Sequence, residues 1–179
     1  MSQRTDNFKG GIQAGTSAYD DASKAMDVDC KEASKYLEAE LNLLGYTYKA
    51  KIDKKIKQQH NIFVGCAPDG GAWFDKNGKL VVVCEGKKQG TRGNAIERWN
   101  KNYMLATRIN PDVRYVTFGR GKGFDDNQYC HRFAKTFMNP GQEFNKLYPT
   151  GQSWFVKVEG FTRAELVDII RKAVIGDFT

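Results

Sequence analysis

The sequence predicts an α/β fold in which a mixed central β-sheet is flanked by α-helices. Asn77-Gly78 is a hairpin signal between two apolar, β-prone runs. Two further apolar runs, at 113–118 and 154–158, are separated from this hairpin and from each other by segments with helical patterns. Hairpin-linked strands combined with strands reached through helices imply a sheet with both antiparallel and parallel neighbours.

The N-terminal part predicts a polar arm followed by a helix. Residues 1–18 are rich in Gly, Ser, Thr and Gln, which favours a flexible arm. Asp27 or Asp29 is suited to cap a helix that continues to about Leu44, because leucines recur at helical spacing and Gly45 is a good stop.

The rest of the chain alternates between strand and helix patterns. Strands are predicted at 46–50, 70–75, 80–85, 113–118 and 154–158, with a further β-prone segment at 61–67. Helices are predicted at 94–108, at 128–138 and after Thr162, where Glu165 completes a capping box; a basic Gly-rich loop is predicted at 119–123. The basic segment 49–60 has two interpretations, a solvated helix or turn with one apolar edge, or a patch that faces phosphates.

Composition narrows the class of protein. A net charge of +7 favours a polyanionic partner such as nucleic acid or an anionic membrane surface. The first 25 residues are polar and no apolar run could span a bilayer, so we expect a cytoplasmic protein without a membrane partner. None of the four cysteines forms a CxxC pair; Cys66 and Cys84 lie in apolar runs and are expected to be reduced core residues, and the spacing does not support a zinc site built from Cys130 and His131.

The segment "PDGGAWFDKNGKLVVVCEGKKQG" (68–90) places charge where a core strand should end. Glu85 and Lys87 follow a run of valines and share one face of the predicted strand, whereas Gly86 points to the other. Asp69 lies one hairpin upstream, so the hairpin can bring two carboxylates together.

Two adjacent carboxylates repel each other unless a cation lies between them. Hard oxygen ligands of this kind bind Mg²⁺, and the Gly86 carbonyl offers one more oxygen. A lysine on the same face can hold or activate a water and stabilise charge on a phosphate. The pattern therefore suits phosphodiester hydrolysis, and its alternative is a surface salt bridge at a strand end.

PD followed by ExK is the signature of the PD-(D/E)xK nuclease superfamily, which this sequence resembles. "PDGG", the strand ending in "EGKKQG", and "GNAIERWNKN" (93–102) are similar to blocks of the EcoRI/MunI-like type II restriction endonucleases, in the same order. The resemblance covers about 68–102, and 113–118 lies where that family has its next core strand. It implies a restriction-endonuclease-like fold in a single domain spanning 1–179.

The resemblance also implies roles for individual residues. Asp69, Glu85 and the carbonyl of Gly86 correspond to Mg²⁺ ligands, and Lys87 corresponds to the catalytic lysine. The implied or candidate DNA-binding residues are Lys88, Gln89, Arg92, Asn94, Ala95, Glu97 and Arg98.

The chemistry of the reading residues agrees with these roles. Asn pairs bidentately with adenine and Arg with purine acceptors, and Asn94 and Arg98 fall on one face at the start of a predicted helix. The alternative is that Asn94 caps this helix and Glu97 pairs with Lys101. His131 and the pair Arg120 and Lys122 are further candidates, for a base and for backbone contacts, with structural alternatives for each.

The expected function is a Mg²⁺-dependent type II restriction endonuclease that cuts double-stranded DNA at a short palindromic site containing AATT. A palindrome implies a homodimer, and cleavage leaves 5′-phosphate ends. Only Thr91 and Arg92 separate Gly90 from Gly93, where the EcoRI enzyme has a long segment, so recognition of flanking base pairs is expected to differ. Two alternatives stay open, a nuclease of repair, recombination or phage DNA degradation with looser specificity, and a non-catalytic basic DNA-binding module.

Overall fold

A five-stranded mixed sheet carries helices on both faces. The computed structural model describes residues 17–59, 68–88, 112–122 and 153–177. The elements within these ranges are α1 (Ser17–Leu43), β1 (Thr47–Lys49), α2 (Lys54–Gln59), β2 (Ala72–Phe74), β3 (Leu80–Lys88), β4 (Arg114–Arg120), β5 (Ser153–Lys157), a 3₁₀ turn (Val158–Gly160) and α3 (Arg163–Ile175). None of the helices in these ranges is long and apolar enough to cross a membrane. The predicted α/β class with a mixed sheet is confirmed at this level.

The strands lie side by side in chain order, β1-β2-β3-β4-β5. The first three form an antiparallel meander, whereas β4 and β5 run parallel to β3. As a result β1, β3, β4 and β5 all finish at the same end of the sheet, where β2 begins. We call this the carboxyl end of the sheet.

Two hydrophobic clusters fix the layers. On one face, α1 and α3 cover a core that includes Trp73, Cys84 and Phe118. On the other face, a smaller cluster around Phe74 and Val83 packs against side chains at and before α2. The helices α1 and α3 are joined by the ion pairs Arg171–Glu40 and Arg163–Glu32. The central strand β3 is therefore buried from both sides.

The long helix α1 begins earlier than predicted. It starts at Ser17 rather than at Asp27 or Asp29, so the end of the predicted arm belongs to it. Residues 18–26 include three alanines, Lys24 and Met26, and a helix extends at little cost through such residues once it is nucleated. The predicted stop is confirmed, because Gly45 follows the helix with a φ of 88°.

The hairpin and the last helix follow their local signals. Asn77-Gly78 forms the β2–β3 turn, and the carboxylate of Asp75 accepts hydrogen bonds from the amides of Asn77 and Lys79. At α3 the Thr162 side chain accepts from the amide of Glu165, whose carboxylate accepts in return. Both predictions are confirmed.

Two strands are longer than predicted. β3 continues from the predicted end at Glu85 to Lys88, and β4 includes Gly119 and Arg120, which had been expected to lie in a loop. The two extensions stabilise each other, because the added residues of β3 and β4 pair through their backbones as far as Lys88 and Arg120. The Gly-rich sequence after Phe118 is tolerated because the ladder continues through it.

The basic segment forms a helix with one apolar edge, as one of its two interpretations predicted. Within α2, Ile56 is partly buried, Lys54 and Lys55 are exposed, and Lys57 is half-buried. Several other predicted features lie outside the described residues: the strand at 61–67, the helices at 94–108 and 128–138, His131, and the thiols of Cys66 and Cys130.

Candidate active site

The Pro68–Gly71 turn is held directly against the central strand. The amide of Gly70 donates to the carbonyl of Cys84 at 3.0 Å, and the amide of Cys84 donates to the carbonyl of Gly71 at 2.9 Å. These two hydrogen bonds continue the pairing between β2 and β3 past Ala72 into the Pro68–Gly71 turn. They place Asp69 beside Glu85.

Asp69 and Glu85 meet at this point. The backbone N–H of Asp69 donates a hydrogen bond to Oε2 of Glu85, with an N···O distance of 3.2 Å. The residue Asp69 is exposed, whereas Glu85 is only 7% exposed. One carboxylate therefore lies at the surface and the other lies behind it, at the edge of the core.

The turn requires glycine at both of its last positions. A Cβ on Gly70 would lie 2.7 Å from the Cβ of Cys30 and 2.8 Å from that of Cys84. Gly71 has a φ of +83°, and a Cβ there would lie 2.6 Å from the carbonyl oxygen of Lys49. A side chain at position 70 would push the turn away from α1 and β3, and one at position 71 would push it away from β1, so either would displace Asp69.

Tyr48 braces the turn from the neighbouring strand. Its hydroxyl donates to the carbonyl of Gly70 at 2.8 Å, and its ring packs against Trp73 with the centroids 5.1 Å apart. Burial raises the pKa of Tyr48 above its ordinary value, so the hydroxyl stays protonated and remains a donor. The position of Asp69 is thus fixed from β1 as well as from β3.

Glu85 sits among buried neighbours. Its β4 partner in the ladder is Thr117, which is 2% exposed and shares its face of the sheet. The carbonyl of Glu85 accepts a hydrogen bond from the Cys30 thiol of α1, with an S···O distance of 3.6 Å. Burying a carboxylate is costly without donors, and the Asp69 amide is one donor that offsets this cost.

The Cys84 thiol next to this site is chemically quiet. Burial above all, and the negative charge of Glu85 to a smaller extent, raise the pKa of Cys84 to about 12. The thiol therefore stays protonated at neutral pH and does not act as a thiolate nucleophile there. The predicted role of Cys84 as a core residue is confirmed.

The remaining residues of the motif follow along β3. Gly86 is buried and pairs with Phe118, and the backbone of Lys87 pairs with Gly119. By strand alternation, position 87 lies on the same face as Glu85. The side chain of Lys87 is outside the described part of the structure. Lys88 is exposed.

The residues expected to read the bases are not in the described ranges. They are Gln89, Arg92, Asn94, Ala95, Glu97 and Arg98. Their roles stay predictions.

The donor set can be compared with the needs of a divalent cation. Among the described residues there is no group of three or more His, Cys, Asp or Glu side chains arranged around a metal position. Mg²⁺ does not need such a group, since it is commonly bound by one or two carboxylates, with waters and substrate phosphates completing the shell. Asp69, Glu85 and the carbonyl of Gly86 fit that requirement.

Two residues of the site were not anticipated. Tyr48 and Cys30 each bond to the backbone of the motif from elements that are distant in sequence. The strand prediction at 46–50 covered Tyr48, but no local pattern shows which atom a tyrosine hydroxyl will reach.

Comparisons with protein-family models, with curated proteins and with solved structures found no match.

Proposed function

We propose that this protein is a Mg²⁺-dependent type II restriction endonuclease, which hydrolyses double-stranded DNA at a short palindromic site containing AATT. The observation that carries the proposal is the contact between the Asp69 amide and the Glu85 carboxylate. It brings the PD half and the ExK half of the motif together at one end of the sheet.

The fold supports the proposal through the position of the motif. ExK lies on β3, which is the last strand of an antiparallel meander and has the parallel strand β4 on its other side. We propose that this sheet is a restriction-endonuclease-like core. In this arrangement the carboxyl end of β3 is anchored in the core, and the exposed residue Asp69 lies beside it.

The two carboxylates have complementary positions for phosphodiester hydrolysis. Asp69 is exposed and can approach a phosphate, whereas the buried Glu85 carboxylate is held by the backbone N–H of Asp69. Asp69, Glu85 and the carbonyl of Gly86 would hold a Mg²⁺ ion, which would supply positive charge to polarise the scissile phosphate.

In the proposed mechanism, Lys87 orients or deprotonates the attacking water from the same face of β3. The water attacks phosphorus, the P–O3′ bond breaks, and the products carry a 5′-phosphate and a 3′-hydroxyl. The turn has no room for a side chain at Gly70 or Gly71, and it holds Asp69 beside Glu85. A misplacement of about 1 Å at such a site is expected to slow the reaction about a hundredfold.

Cleavage mapping tests the proposal. The protein is incubated with a random-sequence DNA library and Mg²⁺, and the ends are sequenced. We expect 5′-phosphate ends within sites that share AATT, and dimers in analytical ultracentrifugation. Ends without a common sequence would replace restriction by a nuclease of looser specificity, and the absence of any product would favour a binding module.

A matched pair of substitutions assigns the activity to the site. Asp69→Asn removes one charge from the motif, and Asp112→Asn removes one charge from an exposed pair with Lys79 at the other end of the sheet. We expect the first to abolish cleavage and the second to leave it unchanged. Equal cleavage by the two variants would refute the assignment of Asp69.

A further inference from the structure

The segment from β1 to α2 is an exposed strip of positive charge. It carries five lysines between positions 49 and 57, and the only acidic residue among them is Asp53. The lysines are exposed except for Lys57, which is half-buried. We call Lys49, Lys51, Lys54, Lys55 and Lys57 the basic strip.

The charge of the basic strip is not neutralised by neighbours. Within the described ranges, none of the five lysines forms a salt bridge. At the start of α2, the carboxylate of Asp53 accepts a hydrogen bond from the backbone N–H of Ile56, with an N···O distance of 2.8 Å. The strip therefore presents a net positive surface to solvent.

The strip is also fixed in place. Ile52 and Ile56 pack onto the Phe74–Val83 cluster and anchor α2 to the sheet. At the start of the strip, the Lys49 ammonium lies 5.0 Å from the centroid of the Phe74 ring. The lysines consequently project from a backbone that is part of the folded domain.

The strip begins beside the candidate active site. The carbonyl oxygen of Lys49 lies against Gly71, and the Tyr48 hydroxyl donates to the carbonyl of Gly70. The first residue of the strip therefore contacts a glycine that follows Asp69 by two positions in the chain. The apolar residues that anchor α2 lie on the same face of the sheet as Val83. By strand alternation, Glu85 lies on that face too. The basic strip and the Glu85 carboxylate therefore lie on the same face of the sheet.

We propose that the basic strip binds the phosphate backbone of duplex DNA outside the cleaved step, independently of sequence. The inference rests on the proposed function in one respect, because that function identifies the bound polyanion as DNA. An anionic membrane fits less well, because a membrane-bound helix needs an unburied apolar face. The apolar edge of α2 is packed against the sheet, and the helix is only six residues long.

Salt-dependent binding tests the proposal without any need for cleavage. The strip variant is Lys51→Gln, Lys54→Gln, Lys55→Gln and Lys57→Gln combined. The control is Lys35→Gln, Lys76→Gln, Lys79→Gln and Lys172→Gln, which makes the same change in net charge at other places on the surface. Fluorescence anisotropy with a short duplex of random sequence in EDTA gives Kd as a function of salt, and circular dichroism shows that both variants are folded.

We expect the strip variant alone to lose the phosphate contacts. Each contact contributes about 0.9 to the slope of log K against log salt, so the slope should fall by about 2 to 4, and Kd near 100 mM salt should rise by about tenfold or more. The control should change the slope by less than about 1. An unchanged slope in the strip variant, or an equal loss in the control, would overturn the proposal.

Two further outcomes separate this inference from the proposed function. A wild-type protein that binds with the expected slope but never cuts DNA would keep the basic strip and refute the nuclease. Binding of phosphatidylserine vesicles that the strip substitutions abolish, with duplex affinity unchanged, would overturn the inference and leave the nuclease standing.

Discussion

Replacing Gly71 by alanine should destabilise the protein far more than replacing Gly78. The two glycines have nearly the same backbone conformation, with φ of +83° and +74°. A Cβ at position 78 meets nothing within 4 Å, whereas a Cβ at position 71 lies 2.6 Å from the Lys49 carbonyl and 2.7 Å from the Tyr48 hydroxyl. Gly78→Ala is therefore a control that isolates the steric term.

The magnitudes follow from these two environments. An alanine with positive φ costs about 1 to 2 kcal/mol at either position, and the loss of glycine's freedom in the unfolded chain returns about 0.4 to 1 kcal/mol. Only position 71 adds overpacking, which costs about 1 to 3 kcal/mol. We expect a loss of about 1 kcal/mol for Gly78→Ala and about 2 to 4 kcal/mol for Gly71→Ala.

Urea and thermal denaturation of the two variants measure this difference. For a chain of this size, 1 kcal/mol shifts Tm by about 2 to 4 °C, so Gly71→Ala should melt several degrees below Gly78→Ala. Equal stability of the two variants would refute the close contact of the turn with β1. In the proposed nuclease, Gly71→Ala should also slow cleavage below the unfolding temperature, because the displaced turn carries Asp69.

Three further outcomes are expected. Tyr48→Phe should lose about 1 to 3 kcal/mol in urea denaturation, because the buried carbonyl of Gly70 loses its donor; no loss would contradict the brace. Thr162→Ala should lose about 1 kcal/mol of thermal stability with the cap of α3, and an unchanged Tm would show that the cap is dispensable. Hydrogen bonds from the Thr162 backbone and side chain lower the pKa of Glu165 from 4.5. A lowered pKa stabilises the fold above the unfolded value and loses that contribution as the pH falls through the folded value. The stability advantage over Glu165→Ala should therefore be full at neutral pH and shrink below about pH 4.5, and an advantage independent of pH would contradict this assignment.

Local signals carried most of what the sequence predicted correctly about the fold. Gly45, Asn77-Gly78 and the Thr162–Glu165 box act within a few residues of one another, so their outcomes do not depend on the rest of the chain. The predicted start of α1 was wrong because Asp27 and Asp29 were interpreted as caps, although the alanines, Lys24 and Met26 that precede them are good helix formers.

Features that depend on partners distant in sequence were predicted less well. The extensions of β3 to Lys88 and of β4 to Arg120 depend on each other, and neither strand shows this in its own composition. At the candidate site, the meeting of Asp69 and Glu85 followed from the hairpin between them. The contacts of Tyr48 and Cys30 did not follow from any pattern, because they join different elements through single atoms.

The central claim is tested most directly by incubating plasmid DNA with the wild-type protein, with Asp69→Ala and with Glu85→Ala, in Mg²⁺ and in EDTA. We expect the wild-type protein to give discrete fragments with 5′-phosphate ends in Mg²⁺ but not in EDTA, and both variants to leave the plasmid intact. Cleavage by Asp69→Ala at the wild-type rate, or intact plasmid with the wild-type protein in Mg²⁺, would contradict it.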